Sequence, residues 1–408
     1  MLLFYLLKKI VKQLYFFIFL DILIVIKEVL KGVKKSTKTG GIFGGLILLV
    51  IGVLILWNNE GRTVKTQSAI NEALSSYTDV ASTAVDSKYE GKLIATTGKL
   101  DFSGSEQLQD AKFGIKVTAA KLERVVEIYQ WQEECTTDDN DNTTCTYDKV
   151  WSEGLIDSTS FNKPGYNNPV SAKFEGQEFL AKNVKVGAFD LPERLLKNLS
   201  YDKKLNNEAL LEQYKNPVEG FKVVNNYIMN SENAEDPQVG DLRVSYQYSG
   251  EGEVSLLGVQ SGNTLNAFVS KKGKTIYTIK RGSYTGKEIL NDMTKTNSTI
   301  KWLLRALGVV LVIGGIGSVF APLQTLAGKV PVLGSIVNFS TSLISTVLGL
   351  SISLIVIAVA WFRFRPVLSI ILLAIVVGLL VFLKIQKSKK PAEPKAPEKK
   401  TAEVKSEK

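Results

Sequence analysis

The chain has 408 residues, with 50 Lys and Arg against 40 Asp and Glu for a formal charge of +10, and it has no histidine. The missing histidine excludes a Ser-His triad and His-ligated zinc and removes the commonest general base. The positive charge does not point to nucleic acid. Its excess lysine sits beside apolar runs, at 27–38 and 384–408, where basic residues set topology and meet anionic headgroups, and no recognition motif accompanies it.

From the start, residues 1–40 alternate apolar runs with Lys8, Lys9, Lys12, Asp21, Lys27, Glu28, Lys31 and Lys34. The apolar run Leu14–Leu20 is too short to cross a bilayer, and Asp21 would be costly at mid-depth, so this segment reads as a basic amphipathic helix in the interface. A signal peptide is the alternative, although no small-residue cleavage site follows. Residues 41–57 (GIFGGLILLVIGVLILW) carry no charge and form the first span.

Residues 58–300 are polar, rich in Asn, Lys, Glu, Tyr and Gly, and long enough to bury a core. Strands are expected at Lys92–Thr97, Glu123–Gln132, Val150–Ile156, Leu242–Tyr248 and Thr275–Ile279, where β-branched and aromatic residues cluster between Gly, Asn and Asp turns. Helices are expected at Thr66–Thr78 and Leu191–Lys215, the second entered through Pro192.

Residues 301–386 read as a bundle of three further spans, Leu303–Leu323, Thr346–Phe362 and Pro366–Leu383, with a short interfacial helix over Leu333–Ser345. Four spans place both termini on one side. Lys31, Lys34, Lys35 and Lys38 before the first span outnumber Arg62 and Lys65 after it, so the termini are expected in the cytosol and the large domain across the membrane. Residues 387–408, rich in Lys, Pro and Glu, read as a disordered cytosolic tail. The fold class is thus an α+β membrane protein: four transmembrane helices with a large β-rich extracytoplasmic or lumenal domain between the first and second.

Several segments resemble the transmembrane protein 43 family, also called LUMA. They are NNEGRTVKT (Asn58–Thr66), VTAAKLERVVEIYQW (Val117–Trp131), SENAEDPQVGDLRVSYQY (Ser231–Tyr248), WLLRALG (Trp302–Gly308) and WFRFRP (Trp361–Pro366). The resemblance spans roughly Gly40–Gln386, and its motifs are structural rather than catalytic. It implies an endomembrane protein with a lumenal domain, which in animals sits in the endoplasmic reticulum and inner nuclear membrane and organises membrane proteins there, emerin and lamins included. The chain departs from the animal pattern in its longer apolar N-terminal helix and its Lys-rich tail.

Few residues qualify as sites. Cys135 and Cys145 flank TTDDNDNTT between two strands that read as a hairpin; a disulfide there would remove roughly 2–3 kcal/mol of unfolded-state entropy. The acidic tip between them lacks the Gly and terminal Glu of a calcium loop and reads as a solvated turn. Glu60 and Arg62 lie within a turn of the membrane, where an ion pair or headgroup contact would dock the domain. Asp241 and Arg243 suggest an internal ion pair at a strand start. Trp131, Trp151, Tyr129, Tyr246 and Tyr248 read as core or cross-strand pairs. Gly308, Gly314, Gly315 and Gly317, with Ser351 and Ser353, supply the small and hydroxyl residues that pack helices in lipid.

No catalytic, metal or cofactor site is expected. The reading is a membrane scaffold or organiser whose partners are other membrane proteins, membrane lipids and itself, but not nucleic acid. Its compartment is the plasma membrane in a prokaryote, or the endoplasmic reticulum and inner nuclear membrane in a eukaryote. The competing readings are a His-independent enzyme on lipid or envelope substrates, with carboxylates converging near Asp241 or Glu123, and a channel subunit.

Overall fold

The structure is a computed structural model, and it describes residues 39–137, 142–215, 218–231, 233–327 and 333–371. The expected interfacial helix at 1–40, the tail at 387–408, most of the acidic turn and the fourth span beyond residue 371 lie outside the described residues. The chain divides into two compact units, 1–64 with 298–408, and 65–297.

In the first unit, three helices are long and apolar enough to cross a membrane. Helix α1, Thr39–Leu74, does not stop where the apolar run ends. Its polar continuation remains helical, so the span and the helix expected near Thr66 are one rod of 36 residues, about 54 Å long at 1.5 Å per residue. The unit boundary falls at 64/65 rather than 57/58, because Asn59, Glu60 and Thr63, polar as they are, are buried.

The second unit holds two short helices, α2 at Glu193–Lys197 and α3 at Asn207–Gln213, where one helix over Leu191–Lys215 was expected. The Asn198 backbone N–H closes the first by donating to the Leu195 and Leu196 carbonyls, and Asn206 opens the second by accepting from the Ala209 N–H, as short polar side chains do at helix N-termini. Between them Lys203–Lys204 joins a sheet edge opposite Gln247 and Tyr248.

Helix α4, Gly286–Ala327, opens with a reciprocal cap. The Thr285 N–H donates to Glu288 Oε2, and the Glu288 N–H to Thr285 Oγ1, satisfying two orphan donors at once. Helix α5, Leu333–Phe364, is unbroken, so the interfacial helix expected over Leu333–Ser345 is the first part of the third span's own helix. A new helical segment starts at Pro366 and is described as far as Ile371, with proline at the first helical position, where no N–H is needed.

The domain, 65–297, is built on two seven-stranded sheets. In one, Leu93–Asp101 and Glu253–Ser261 pair antiparallel from Leu93 opposite Val259 to Lys99 opposite Glu253, and this pairing closes the strand path on itself. In the other, Leu242–Ser249 lies between Tyr227–Met229 and the long strand Lys121–Thr137, with Leu242 opposite Ile128 and Ser249 opposite Lys121. Burial alternates along Leu242, Val244 and Tyr246, the period-two pattern of a strand with one face on the core. A second, smaller core gathers Ala69, Ile70 and Ala73 of α1 with Leu93, Leu257, Ile289 and Leu290.

The main core carries an ion pair inside it. Arg124 Nη1 lies 2.6 Å from Asp110 Oδ2, with the two side chains 1% and 2% exposed. Tyr246 donates to the same oxygen at 2.8 Å, and Arg124 also donates through Nε and Nη2 to the Glu175 carbonyl. Burial, and then the Asp110 charge, push the Tyr246 hydroxyl well above its usual range, so it stays a donor at any ordinary pH. Asp110→Ala leaves a guanidinium buried without its counter-ion, and a loss of about 3–5 kcal/mol is expected, measurable as a collapse of thermal stability of the full chain in detergent.

Candidate functional site

The polar stretch of α1 that follows the first span is where the chain concentrates buried charge in the bundle. Glu60 is fully buried, and both its oxygens are engaged. Arg305 of α4 reaches Oε1 through Nε at 2.7 Å and Nη2 at 2.6 Å, and the Trp361 indole N–H of α5 donates to Oε2 at 3.0 Å. One carboxylate thus ties three helices. Around it, Asn59 Nδ2 donates to the Lys301 carbonyl at 2.9 Å, and the Arg305 guanidinium lies 4.9 Å from the Trp302 ring centre and 5.9 Å from that of Trp361. A Cβ on Gly61 would stand 2.8 Å from Phe364 Cζ, so glycine is what lets that ring, itself 5.6 Å from Trp57, approach.

The expected Glu60–Arg62 pair is therefore not formed. Arg62, one residue past Gly61, points around the helix and donates to Asn59 Oδ1 and Thr63 Oγ1, while Glu60 takes its cation from another helix. The sequence signal was present but dispersed: NNEGRT, WLLRALG and WFRFRP each contribute one member of the cluster.

Deeper in the bundle, α1 and α4 pack through glycines seven residues apart on both helices. A Cβ on Gly315 would fall 2.7 Å from the Gly45 carbonyl, and one on Gly308 2.7 Å from Leu56 Cδ2 and 3.2 Å from the Gly52 carbonyl. Gly349 of α5 presses on Ile313 in the same way, at 2.5 Å. Gly314 has nothing within 4 Å, and Gly317 meets only Ser345 Oγ, at 3.9 Å. Two of the four expected glycines thus make close contact, and Gly45, Gly52 and Gly349 were missed. Ser351 bonds back to Val347 on its own helix, and Ser353, although buried, has no partner among the described residues; neither bonds across helices.

In the domain, Cys135 and Cys145 are directly opposite and joined as a disulfide. Beyond Ile128 the strand Lys121–Thr137 loses its partner on one side and continues only with Thr143–Ser152, a two-stranded arm that is marginal without support. The disulfide clips it towards the tip. Asn168 supports its edge, accepting from the Trp131 N–H at 2.7 Å and donating to the Trp131 carbonyl at 2.8 Å. Aromatic contacts cover one face: Tyr129 on Trp151 at 5.1 Å, Trp131 on Tyr166 at 4.8 Å, and Tyr147 stacked on Tyr166 at 3.9 Å. Tyr246 belongs to the core, and Tyr248 packs against it.

Asp241 and Arg243 do not pair. Asp241 accepts from the Gln238 N–H within a turn, whereas Arg243 pairs bidentately with Glu127, its cross-strand neighbour, at 2.7 Å and 2.7 Å. Its guanidinium lies 4.5 Å from the Trp151 ring centre and 4.6 Å from that of Tyr227. Asp241 lies in the turn before the strand Leu242–Ser249, while Glu127 stands directly across from Arg243 within the sheet. Glu123 and Glu178 are also cross-strand neighbours. Their charges are met by Gln247 on Glu123 and by Lys121 and Tyr201 on Glu178, and burial, then the Glu178 hydrogen bond, raise the Tyr201 hydroxyl above its usual range.

Glu60→Ala is expected to lower the stability of the full chain in nanodiscs by about 3–5 kcal/mol, since Arg305, its side chain only 12% exposed, would lose its counter-ion. Glu60→Gln, which keeps an acceptor for Trp361, should cost less, and thermal unfolding followed by tryptophan fluorescence would rank the two.

The model of the transmembrane protein 43 family matches residues 128–366. Transmembrane protein 43 of Homo sapiens and that of Pongo abelii are each 29% identical over 379 residues, covering 88% of this chain and 92% of theirs. The homolog of Drosophila melanogaster is 28% identical over 346 residues, covering 81% and 90%. No solved structure matches. With half its length and more inside the family model, across spans and domain alike, this chain belongs to the transmembrane protein 43 family.

Proposed function

We propose that the chain is a non-catalytic membrane scaffold whose β-rich domain, across the membrane from both termini, holds other membrane proteins, lipids or further copies of itself in place. The observation that carries this reading is the fate of its buried charge. Among the described residues, the buried charged side chains are Glu60, Asp110, Lys121 and Arg124, and each is consumed by a structural partner: Glu60 by Arg305 and Trp361, Asp110 by Arg124 and Tyr246, Lys121 by Glu178 and the Lys197 carbonyl. A catalytic acid or base needs a buried or poised group left available to substrate. The surface offered to partners is the hairpin arm with its half-buried aromatics, the residue types that anchor interfaces.

The compartment follows the host: the plasma membrane in a prokaryote, the endoplasmic reticulum and inner nuclear membrane in a eukaryote. The excess of lysine before the first span supports this orientation.

Crosslinking in intact membranes, affinity purification and mass spectrometry should recover a reproducible set of membrane proteins with the full chain, and lose it when residues 75–285 are replaced by a flexible linker. An identical set from both chains would sink the scaffold reading. Orientation is checked separately. Val170 is 92% exposed, and the two natural cysteines are bonded to each other, so Val170→Cys supplies a single free thiol. It should react with an impermeant maleimide from the far side of the sealed membrane, whereas Ala396→Cys in the tail should react only after permeabilisation.

A further inference from the structure

The charges where the spans meet the polar end of the bundle do not balance. Lys301 and Arg305 share the Trp302 ring, and Arg305 and Arg365 share the Trp361 ring, whose indole N–H donates to Glu60, so three cations gather about one carboxylate. That carboxylate is taken by Arg305. Among the described residues, Lys301 Nζ has only the Trp302 ring, 5.4 Å away, and the Arg365 guanidinium only the Trp361 ring, 5.7 Å away. Both cations are half-buried. A half-buried cation facing only an aromatic ring retains most of its demand for an anion, because the attraction to a ring is worth about 0.5–2 kcal/mol, less than a charge-assisted hydrogen bond to an oxyanion.

Next to Arg365 lies an open slot of about 400 Å³ lined by Arg365, Pro366, Val367, Leu368 and Ile371. Its walls are hydrocarbon throughout, Arg365 lining it through its carbon stem, and Val367 and Ile371 are 70% and 51% exposed. Trp302, 61% exposed, and Trp361 stand at the same end, the position that indoles take between headgroups and acyl chains. A cation pair beside an apolar slot, at the depth marked by tryptophans, has the polarity profile of one lipid: a phosphate above and a chain below. A soluble anion would leave the slot without an occupant.

We propose that this end of α4 and α5 is a phospholipid site, with the lipid phosphate held by Lys301 and Arg365 and an acyl chain lying along Val367, Leu368 and Ile371. The inference needs only that the chain is a membrane protein, so it stands or falls apart from the scaffold reading. Arg305 positions the site by neutralising Glu60, which would otherwise repel the phosphate.

The test uses the full chain in a neutral detergent, with phosphatidylglycerol added and occupancy read by native mass spectrometry. One lipid should stay bound to the unaltered protein. Lys301→Gln with Arg365→Gln should weaken binding at least tenfold, or about 1.4 kcal/mol, and Lys301→Arg with Arg365→Lys should restore it, which separates lost binding from lost folding. Leu368→Trp should fill the slot and weaken binding with the cations intact. Equal occupancy in the unaltered and double-Gln chains would overturn the proposal. So would displacement of the lipid by equimolar inorganic phosphate, which would mark a site for free anions, or failure of the unaltered chain to take up lipid because its own residues after Ile371 fill the slot.

Discussion

A carboxylate taken out of water costs several kcal/mol unless it is paired and hydrogen-bonded, and the membrane unit is arranged around that constraint at Glu60. Among the described residues, Arg305 on α4 and Trp361 on α5 reach its two oxygens, so the helices are free to rotate or slide only as far as those bonds allow. A half-turn of rotation in α4 would withdraw Arg305 and leave the fully buried Glu60 without its cation. Packing alone specifies far less in lipid, where apolar side chains are equally content against acyl chains. The glycine contacts at Gly45, Gly52, Gly308 and Gly315 permit close approach; the buried carboxylate selects which approach is used.

The domain repeats this logic with different residues. Asp110, Arg124 and Tyr246 sit among Phe113, Leu122 and Val244, with the Arg124 guanidinium 5.6 Å from the Phe113 ring centre. A purely apolar core tolerates a strand slipped by two residues, since the same face stays inward. A core whose arginine must meet one aspartate and one backbone carbonyl does not. The ion pair adds little net stability over a hydrocarbon replacement, and its effect lies in register: it aligns Lys121–Thr137 with Leu242–Ser249, from which the hairpin arm extends.

Much of this was legible in the sequence where a local rule governs it. The uncharged run Gly41–Trp57, the alternation of Leu242–Tyr248 and the opposed Cys135 and Cys145 all depend on neighbours along the chain or across one hairpin. What escaped depends on distant partners. Glu60 looked like a partner for Arg62 because they are two residues apart, yet on a helix that spacing puts side chains on different faces. Asp241 and Arg243 failed because Asp241 is held in the turn before the strand, while a cross-strand carboxylate meets Arg243. The break in Leu191–Lys215 was readable: Asn198 and Asn206 are capping residues that a search for one long amphipathic helix passes over. Of the glycines, Gly308 and Gly315 were singled out, but Gly314 was not distinguishable from them, because which face of α4 meets α1 is decided by the polar cluster and not by the glycines.

Helices α1 and α4 each contribute to two cores. Leu56 and Val312 belong to the bundle's apolar cluster, and Ala69, Ile70, Ile289 and Leu290 to the smaller core of the domain. A helix is cooperative along its length, since every broken turn exposes backbone groups that its neighbours would otherwise bond. Between the two cores the sequence carries no proline and only Gly61 in α1, and that glycine is committed to Phe364. A chain selected for a flexible tether would place Gly, Ser or Pro runs there. Neither α1 nor α4 carries such a run between its two clusters, so each helix continues unbroken from one to the other.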